Sequence, residues 1–450
     1  MSAARIDTRT FFDELRDREF SRLDAQHHAY LDYAGSALYG DSQLRAHHEI
    51  LRGGIFGNPH SDSSPSRAST EVIDNARRRL LRFLDVDETT HDVIFTANTS
   101  AAIKLVAEAY PFSKERGCFL AADNHNSVNG IREYARRAGA PVHYLPLDRD
   151  LRLLDAELLL AEASLHGEGL VAFPAQSNFS GVQHPLDLVT KAHALGFDVL
   201  LDAAAFIPSH ALSLRRCPAD FAALSFYKLF GYPTGLGALV ARRDALSRLC
   251  RPWFAGGTVM YASVAADAHL LRSRHEGFED GTPDFLSIAA LDAGFDLLDE
   301  AGMPQLTAHV QGLTRDFIDD LRALRHDNGT PLVRIYGPRG RSACGGAVAF
   351  NVCDRTGTPI PYALVETRAR RANVSLRGGC FCNPGASESA FALDASRLTT
   401  CFASLGDEFT PERFAECANT TVGAVRASIG LANNAGDVHR AVEVIASFGD

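Results

Sequence analysis

Lysine is the scarce residue of this chain. Of the 45 lysines and arginines, only Lys104, Lys114, Lys191 and Lys228 are lysines, so arginine supplies nearly all of the positive charge. Long apolar runs are lacking too, since none approaches the roughly 18 residues of a membrane span. Residues 1–24 carry acids and arginines throughout, unlike a signal peptide. These features predict a cytoplasmic protein that does not enter a membrane.

An excess of positive charge is also missing. The net charge is -10 and the pI is near 5.9, which argues against nucleic acid or an anionic membrane as the main partner. With 450 residues, the chain is long enough for two or three domains. The nine cysteines are odd in number and widely spread, so free thiols are expected, not a disulfide framework.

Beyond residue 92, short apolar segments alternate with amphipathic ones. This alternation predicts an α/β fold, with a mostly parallel sheet that binds ligands at the carboxyl ends of its strands. The predicted strands are 93–96, 119–122, 142–147, 170–174, 199–201 and 220–226. A further strand at 235–241 is expected to run antiparallel at the edge of the sheet.

The flanking regions complete the predicted organisation. Residues 1–20 have the pattern of an amphipathic helix, and a polar loop over 56–66 precedes a helix predicted at 70–83. Apolar spacing over 285–298 predicts a connecting helix, and the strand and helix patterns after it indicate a smaller α/β domain. We predict a large domain over residues 27–283 and a small domain over 284–450, which also includes 1–26.

Lys228 follows a buried strand and begins a glycine-rich loop. An amine, unlike a guanidinium group, can lose its proton when desolvated and add to a carbonyl. The simpler interpretation is a lysine that extends along apolar surface and keeps its charge in water. Side chains at the other strand ends favour the first interpretation.

Two strand ends suit a phosphorylated aromatic ligand. Thr99 and Ser100 open a helix, where hydroxyls, unpaired N–H groups and the helix dipole favour a phosphate. Asp202 is followed by three alanines, so a flat ring can approach its carboxylate and keep a ring nitrogen protonated. Taken alone, the hydroxyls are more simply explained as an ordinary helix cap, and a cap is also an alternative for Asp202.

Two further strand ends add side chains of the same kind. His125 is suited to stacking on a ring or moving protons, and Asn178 offers an amide to a ring hydroxyl. Each alone is also compatible with an ordinary loop. Together with Lys228 and the phosphate cradle, they predict a site for pyridoxal 5'-phosphate.

Three longer runs resemble the class V aminotransferase superfamily: FPAQSNFSG at 173–181, LSFYKLFGYPTGLG at 224–237 and RGGCFCNPGA at 377–386. Within it, the chain looks like the cysteine desulfurase-like domain of molybdenum cofactor sulfurases over residues 30–448. The resemblance implies the fold type I architecture of pyridoxal-phosphate transferases. Eukaryotic sulfurases carry a second, cofactor-binding domain. Because this chain stops at Asp450 without one, it is not expected to deliver sulfur to molybdenum cofactor alone.

The resemblance also implies roles for single residues in holding the cofactor. Its aldehyde would be bound by Lys228, its ring nitrogen by Asp202, its ring face by His125, its ring hydroxyl by Asn178, and its phosphate by Ser100 and Ser225 beside Thr99. The glutamine that desulfurases often place after the aspartate is replaced here by Ala205.

Other implied roles concern the substrate and a second subunit. Gly281-Thr282-Pro283 matches a turn that reaches the phosphate of a neighbouring subunit, which implies a homodimer. Arg426 matches the clamp for the substrate carboxylate, where a bidentate guanidinium suits a planar anion. Arg377 and His60 are further candidates for substrate binding.

The Cys380-Phe381-Cys382 loop allows three interpretations. Structural zinc usually uses Cys-x2-Cys pairs, so no metal is predicted, even with Cys344 and Cys353 as possible partners. A second interpretation is that the cysteines serve as small apolar residues of a turn. The nearby arginine and a polar turn instead favour an exposed, stabilised thiolate. Because residues one apart in an extended loop point in opposite directions, one thiol alone should face the substrate, and the resemblance assigns that role to Cys382.

These features predict a pyridoxal-phosphate-dependent cysteine desulfurase. L-cysteine or a related amino acid would yield L-alanine and a persulfide on Cys382, for transfer to a protein or small-molecule acceptor, while Lys228 and His125 act on protons. One alternative is a C–S lyase or aminotransferase of the same fold that does not use Cys382. The other is a sulfur-carrier or binding module, which would release neither keto acid nor alanine.

Overall fold

The computed structural model describes residues 8–340, 342–408, 410–418 and 421–449. Its strands are β1 (Ala29–Tyr30), β2 (His91–Thr96), β3 (Arg116–Ala121), β4 (Val142–Leu145), β5 (Glu168–Pro174), β6 (Phe197–Asp202), β7 (Phe221–Ser225), β8 (Gly237–Arg242), β9 (Val259–Ser263), β10 (Ala268–Leu271), β11 (Val333–Ile335), β12 (Ala347–Val352), β13 (Val374–Ser375), β14 (Arg377–Gly379) and β15 (Ala424–Ser428).

The α-helices are α1 (Thr8–Glu19), α2 (Arg22–Ala25), α3 (Asp41–Gly53), α4 (Ser64–Phe83), α5 (Thr99–Ala109), α6 (Asn126–Asn129), α7 (Ile131–Arg137), α8 (Ala156–Ser164), α9 (Leu188–Ala194), α10 (Phe226–Phe230), α11 (Arg243–Leu246), α12 (Phe285–Ile288), α13 (Leu291–Ala301), α14 (Met303–Ala323), α15 (Tyr362–Arg371), α16 (Pro384–Ala390), α17 (Ala395–Leu405), α18 (Pro411–Ala418) and α19 (Ala435–Ala446). Short 3-10 helices lie at Arg274–Gly277 and Gly406–Glu408. Among the described helices, none has the length and apolar character needed to cross a bilayer.

A seven-stranded sheet with the order β2-β8-β7-β6-β5-β3-β4 forms the centre of the molecule. The strands from β7 to β4 pair in parallel, and β8 runs antiparallel to both β2 and β7. Parallel neighbours end at one edge of the sheet, as the register of Pro174 opposite Asp202 shows. The predicted α/β fold with a mostly parallel central sheet is confirmed.

Both faces of this sheet are buried. Successive side chains of a strand point to opposite faces, and apolar side chains are found on each. In β6, Val199 and Leu201 belong to one apolar cluster and Leu200 belongs to another. The first cluster includes side chains of α4 and α9, and the second includes side chains of α5 and α7. Helices therefore cover both faces, and they fix the strand ends where the polar side chains lie.

A second, antiparallel sheet with the order β11-β12-β15-β14 lies in the C-terminal part of the chain. The N-terminal segment joins it, because β1 pairs with β13 and Asp32 forms a bridge with Ser428. In α1, Arg16 donates to Asp437 at 2.6 Å. The boundaries at residues 26, 283 and 284 stay a prediction.

Three local expectations were wrong. Strand β8 lies second from the edge, because β2 pairs along its outer side. Helix α4 begins at Ser64, six residues before the predicted start at Thr70 (70 minus 64), with Pro65 in its first turn, where the missing N–H of proline costs no hydrogen bond. Lys228 lies in the short helix α10, directly after β7, and not in a loop.

The expectation of free thiols throughout was wrong for one pair. Cys401 in α17 and Cys417 in α18 form a disulfide, with their Cα atoms 5.9 Å apart. These two helices pack around a small apolar cluster of their own, which includes Phe414 and Ala418. A spacing of 16 residues carries no sequence signal for pairing, so only the packing of the two helices brings the sulfurs together.

Gly237, at the start of β8, lets the backbone of Asn98 approach closely, so we expect this position to be sensitive to substitution. A Cβ there would lie 2.6 Å from the C and Cα atoms of Asn98, just before α5. Gly237→Ala should therefore reduce the free energy of unfolding by about 1–3 kcal/mol. Gly312→Ala is the matched control, because a Cβ at Gly312 in α14 meets nothing within 4 Å. Urea unfolding would measure both, and an unchanged midpoint for Gly237→Ala would contradict the packing argument.

Candidate active site

A cavity opens at the carboxyl ends of the central strands, where the sequence predicts a site. It is lined by these predicted residues: Thr99, Ser100, His125, Asn178, Asp202, Ser225 and Lys228. They come from different strand ends, and the parallel register brings them to the same edge of the sheet. The structure thus gathers the predicted cofactor-binding residues apart from Thr282.

Lys228 presents its amine to this cavity from helix α10. Burial lowers the pKa of Lys228, and the carboxylate of Asp202 opposes that shift. The positive charge of Arg426 lowers the pKa further. A lysine that gives up its proton more readily than usual is suited to act as a nucleophile or base.

The N-terminus of α5 forms a cluster of hydroxyl and N–H groups. Asn98 caps the helix by accepting from the N–H of Ala101 at 3.0 Å. Ser225 Oγ accepts from the N–H of Thr99 at 2.8 Å, which joins the end of β7 to this turn. Ser100 Oγ lies 2.6 Å from Ser127 Oγ. Such a helix start is suited to binding an anion such as a phosphate.

His125 and Asp202 supply the titratable groups of the cavity beside the lysine. Nδ1 of His125 accepts from the N–H of Ser127 at 3.1 Å, which leaves Nε2 as the protonated nitrogen of the neutral ring. Burial lowers the pKa of His125, and the charge of Asp202 opposes that shift. Asp202 Oδ1 accepts from the N–H of Ala204 at 3.0 Å. The cavity therefore favours a neutral imidazole near a carboxylate.

Arg426 and Arg377 both bind Asp32, a residue that the sequence analysis did not select. Arg426 Nη2 donates to Asp32 Oδ1 at 3.0 Å, and Arg377 Nη2 donates to Asp32 Oδ2 at 2.6 Å. Arg426 also donates to the backbone oxygen of Asn178 at 2.9 Å. The two predicted substrate-binding arginines thus form one ion-pair network beside the cavity.

The cysteine loop is a tight turn, which corrects the expectation of an extended loop. Phe381 and Cys382 have φ angles of 56° and 55°, so both occupy the left-handed region. That conformation costs roughly 1–2 kcal/mol per residue. Both thiols of the loop, those of Cys380 and Cys382, are exposed. The argument that one of them must turn away from the substrate because the loop is extended therefore does not apply.

Hydrogen bonds tie this turn to the cavity. Asn178 donates from Nδ2 to the backbone oxygen of Phe381 at 2.7 Å, and Asn383 donates to Asn178 Oδ1 at 2.9 Å. The N–H of Asn126, which follows His125, donates to the backbone oxygen of Cys382 at 2.7 Å. These bonds hold the left-handed pair in place. Asn178, predicted for a ring hydroxyl, has its amide engaged by the cysteine loop.

Thr282 and His60 do not line the cavity of their own chain, whereas Cys382, Arg377 and Arg426 belong to the turn and the ion-pair network beside it. Thr282 accepts from Asn58 Nδ2 at 3.3 Å, and His60 lies in the same loop as Asn58. They line two hollows on the surface that are distinct from the cavity at Lys228. Their roles in cofactor and substrate binding stay predictions.

Sequence reasoning missed Gln176 as well as Asp32. Gln176 lines the cavity and donates from Nε2 to the backbone oxygen of Ala205 at 2.8 Å. An amide is therefore present beside the position where the expected glutamine is replaced by alanine. Its position two residues after the end of β5 was the available signal, because Asn178 was selected from the same loop.

The chain matches known proteins over most of its length. A family model described as aminotransferase class-V matches residues 29–441. A molybdenum cofactor sulfurase of Drosophila ananassae is 35% identical over 465 residues, which cover 96% of this chain and 59% of that protein. The chain spans about half to three-fifths of the length of the curated relatives it matches.

Solved structures share its fold. The apo cysteine desulfurase from Thermococcus onnurineus NA1 superposes with a TM-score of 0.80 at 22% identity, and the match covers 99% of both chains. A C-DES variant with glycine covalently linked to its PLP cofactor gives a TM-score of 0.72 at 17% identity, over 96% of this chain and 99% of that one. At such identities the likeness shows the fold alone.

Proposed function

Because this chain belongs to the class-V aminotransferase family, we propose that it is a pyridoxal-phosphate-dependent cysteine desulfurase, which converts L-cysteine to L-alanine and holds the sulfur on Cys382. The observation that carries the proposal is the placement of an exposed thiol in a turn bonded to the cavity wall. The backbone oxygen of Cys382 accepts from the N–H of Asn126 at 2.7 Å, which ties the turn to the residue after His125 in the cavity lining.

The residues of the cavity fit pyridoxal phosphate. The hydroxyl and N–H cluster at the start of α5 suits its phosphate, Asp202 suits a protonated ring nitrogen, and Lys228 suits its aldehyde. Thr99, Ser100 and Ser225 would hold the phosphate, and His125 would cover the ring. When bound, the cofactor supplies an electron sink for a substrate attached through its amino group.

Lys228 and the arginines would act on the substrate itself. The lowered pKa of Lys228 favours the neutral amine that accepts a proton from the substrate α-carbon and later returns it. Arg426, with Arg377 beside it, would bind the α-carboxylate. His125 would offer the proton on Nε2 to the cavity.

The sulfur step needs no external oxidant. The thiolate of Cys382 attacks the sulfur of the substrate, an S–S bond forms, and the substrate C–S bond breaks. The electron pair of that bond stays on carbon, which takes up a proton and becomes the methyl group of alanine. A persulfide remains on Cys382 for a protein or small-molecule acceptor.

We also infer a homodimer in the cytoplasm. Support for the dimer comes from Thr282 and His60, which lie away from the cavity of their own chain and so are free to serve that of a neighbouring subunit. Support for the absence of a nucleic-acid partner comes from the net charge of -10. Gel filtration with light scattering would measure the subunit number.

Product analysis tests the function. Purified protein with pyridoxal phosphate and L-cysteine should release alanine and gain the mass of one sulfur atom, whereas L-alanine in place of L-cysteine should add no sulfur. Release of keto acid would favour an aminotransferase. Sulfide with pyruvate would favour a C–S lyase, and release of no product would favour a binding module.

A further inference from the structure

Asp32 is the shared partner of both arginines beside the cavity. Its Oδ1 accepts from Arg426 Nη2 at 3.0 Å and from Arg377 Nε at 3.1 Å. Its Oδ2 accepts from Arg377 Nε at 2.9 Å and Nη2 at 2.6 Å. One carboxylate therefore pairs directly with two guanidinium groups, which leaves one positive charge without a directly bonded carboxylate of its own.

Arg426, one of the two arginines, is buried. A buried guanidinium group that lacks its own carboxylate is suited to bind one anion. Arg426 is only 2% exposed, and its Cζ lies 4.7 Å from the centre of the Phe381 ring. Its Nε is buried and donates no hydrogen bond within the described part of the chain. A buried guanidinium with unused donors gains more from a carboxylate than an exposed one does. The other nearby carboxylate that acts on Arg377, that of Glu366, accepts from the N–H of Gly378 at 2.6 Å.

Hydrogen bonds to β15 fix the backbone on both sides of Asp32. The N–H of Ser428 donates to the backbone oxygen of Leu31 at 2.7 Å, and the N–H of Tyr33 donates to that of Ser428 at 3.2 Å. A Cβ at Gly35 would lie 2.6 Å from both Asp32 Oδ2 and Arg377 Nη2, so the turn closes tightly over this pair. The fold therefore holds Asp32 within reach of both arginines.

We propose that Asp32 determines substrate specificity by matching one of the two arginine charges, so that the site accepts amino acids with a single carboxylate and an uncharged side chain. The α-carboxylate of a substrate then pairs with the remaining positive charge. No positive charge is left in the network to pair with a second anionic group of the substrate. This inference rests on the proposed function, because it takes Arg426 as the receptor of the substrate carboxylate. Beyond that function, it predicts that the site excludes dicarboxylic amino acids.

The test uses the holoenzyme and two amino acids without a thiol, L-alanine and L-aspartate. Their binding is measured by calorimetry and by the change in cofactor absorbance. The unaltered protein should prefer L-alanine. Asp32→Asn should shift the ratio of the two dissociation constants at least about tenfold toward L-aspartate, which corresponds to roughly 1.4 kcal/mol. Asp24→Asn is the control, because Arg16 binds Asp24 at 2.8 Å in a similar ion pair outside the cavity.

A second variant makes the charge argument specific. Asp32→Asn combined with Arg377→Gln again leaves one positive charge, so the preference for L-alanine should return. If Asp32→Asn does not fold, Arg377→Gln alone should weaken L-alanine binding at least about tenfold, because Asp32 then matches Arg426. An unchanged ratio in Asp32→Asn, a double variant that still prefers L-aspartate, or unchanged L-alanine binding in Arg377→Gln would each overturn the inference.

The two proposals fail in different ways. Binding of L-alanine with the expected selectivity, but without persulfide from L-cysteine, would remove the proposed function and leave the role of Asp32 intact. Persulfide formation together with an Asp32→Asn ratio equal to that of the unaltered protein would remove the role of Asp32 and leave the function intact.

Discussion

Lys228→Ala should give a folded protein that does not hold pyridoxal phosphate covalently and forms almost no persulfide. Among the described residues, Lys228 is the one lysine that lines the cavity, and its lowered pKa favours the neutral amine that both roles need. Loss of a positioned base alone costs about 10²- to 10⁴-fold in rate, and loss of the covalent link adds to that. Persulfide formation from L-cysteine, followed by intact mass, would measure the change.

Borohydride reduction provides the direct measurement. In the unaltered protein, peptide mapping should find the reduced cofactor on Lys228. Lys191→Ala is the matched control, because Lys191 pairs with Glu157 and Asp187 on the surface and should not affect the cofactor. Recovery of the cofactor on another lysine, or full activity of Lys228→Ala, would contradict the assignment.

The strand-end residues were predictable because their positions follow from local patterns. Apolar runs defined the strands, and parallel strands necessarily end at a common edge. Ser100, His125, Asp202 and Lys228 could therefore be grouped before any contact was known. The structure places all of them on one cavity wall, although Lys228 lies in a helical turn and not in a loop.

Asp32 could not be selected in this way, because its role depends on long-range pairing. It lies 394 residues from Arg426 along the chain, and only the pairing of the N-terminal segment with β15 brings them together. Local periodicity carries no information about such a contact. The visible signal was an aspartate after a short apolar run, which is common in sequences.

The turn at Cys382 was unpredictable for a different reason. Phenylalanine and cysteine rarely adopt positive φ, so the sequence favoured an extended loop. Asn178, Asn126 and Asn383 contribute the hydrogen bonds that hold the observed conformation, and two of these residues lie outside the turn, Asn178 in another loop and Asn126 at the start of α6. Tertiary contacts thus override the local preference at this site.

Cys382→Ser should abolish persulfide formation from L-cysteine, whereas Cys380→Ser should retain most of the turnover. Exposure does not distinguish the two thiols, since both are exposed, so the difference must come from their positions in the turn. The backbone oxygen of Cys382 accepts from the N–H of Asn126, the residue after His125, and this bond ties Cys382 to the cavity lining. A serine hydroxyl cannot accept sulfur in the same way, so the loss should be at least about a thousandfold.

The two serine variants are matched, because each removes one exposed sulfur from the same turn. Cys382→Ser should still change the cofactor absorbance when L-cysteine is added, since Lys228 and Arg426 are intact. Mass spectrometry of the digested protein would locate the extra sulfur. Sulfur on Cys380, or full alanine release by Cys382→Ser, would mean that this thiol is not the acceptor, and a C–S lyase would then explain the cavity better. Loss of the absorbance change as well would show that Cys382 is needed for substrate binding, before any sulfur is transferred.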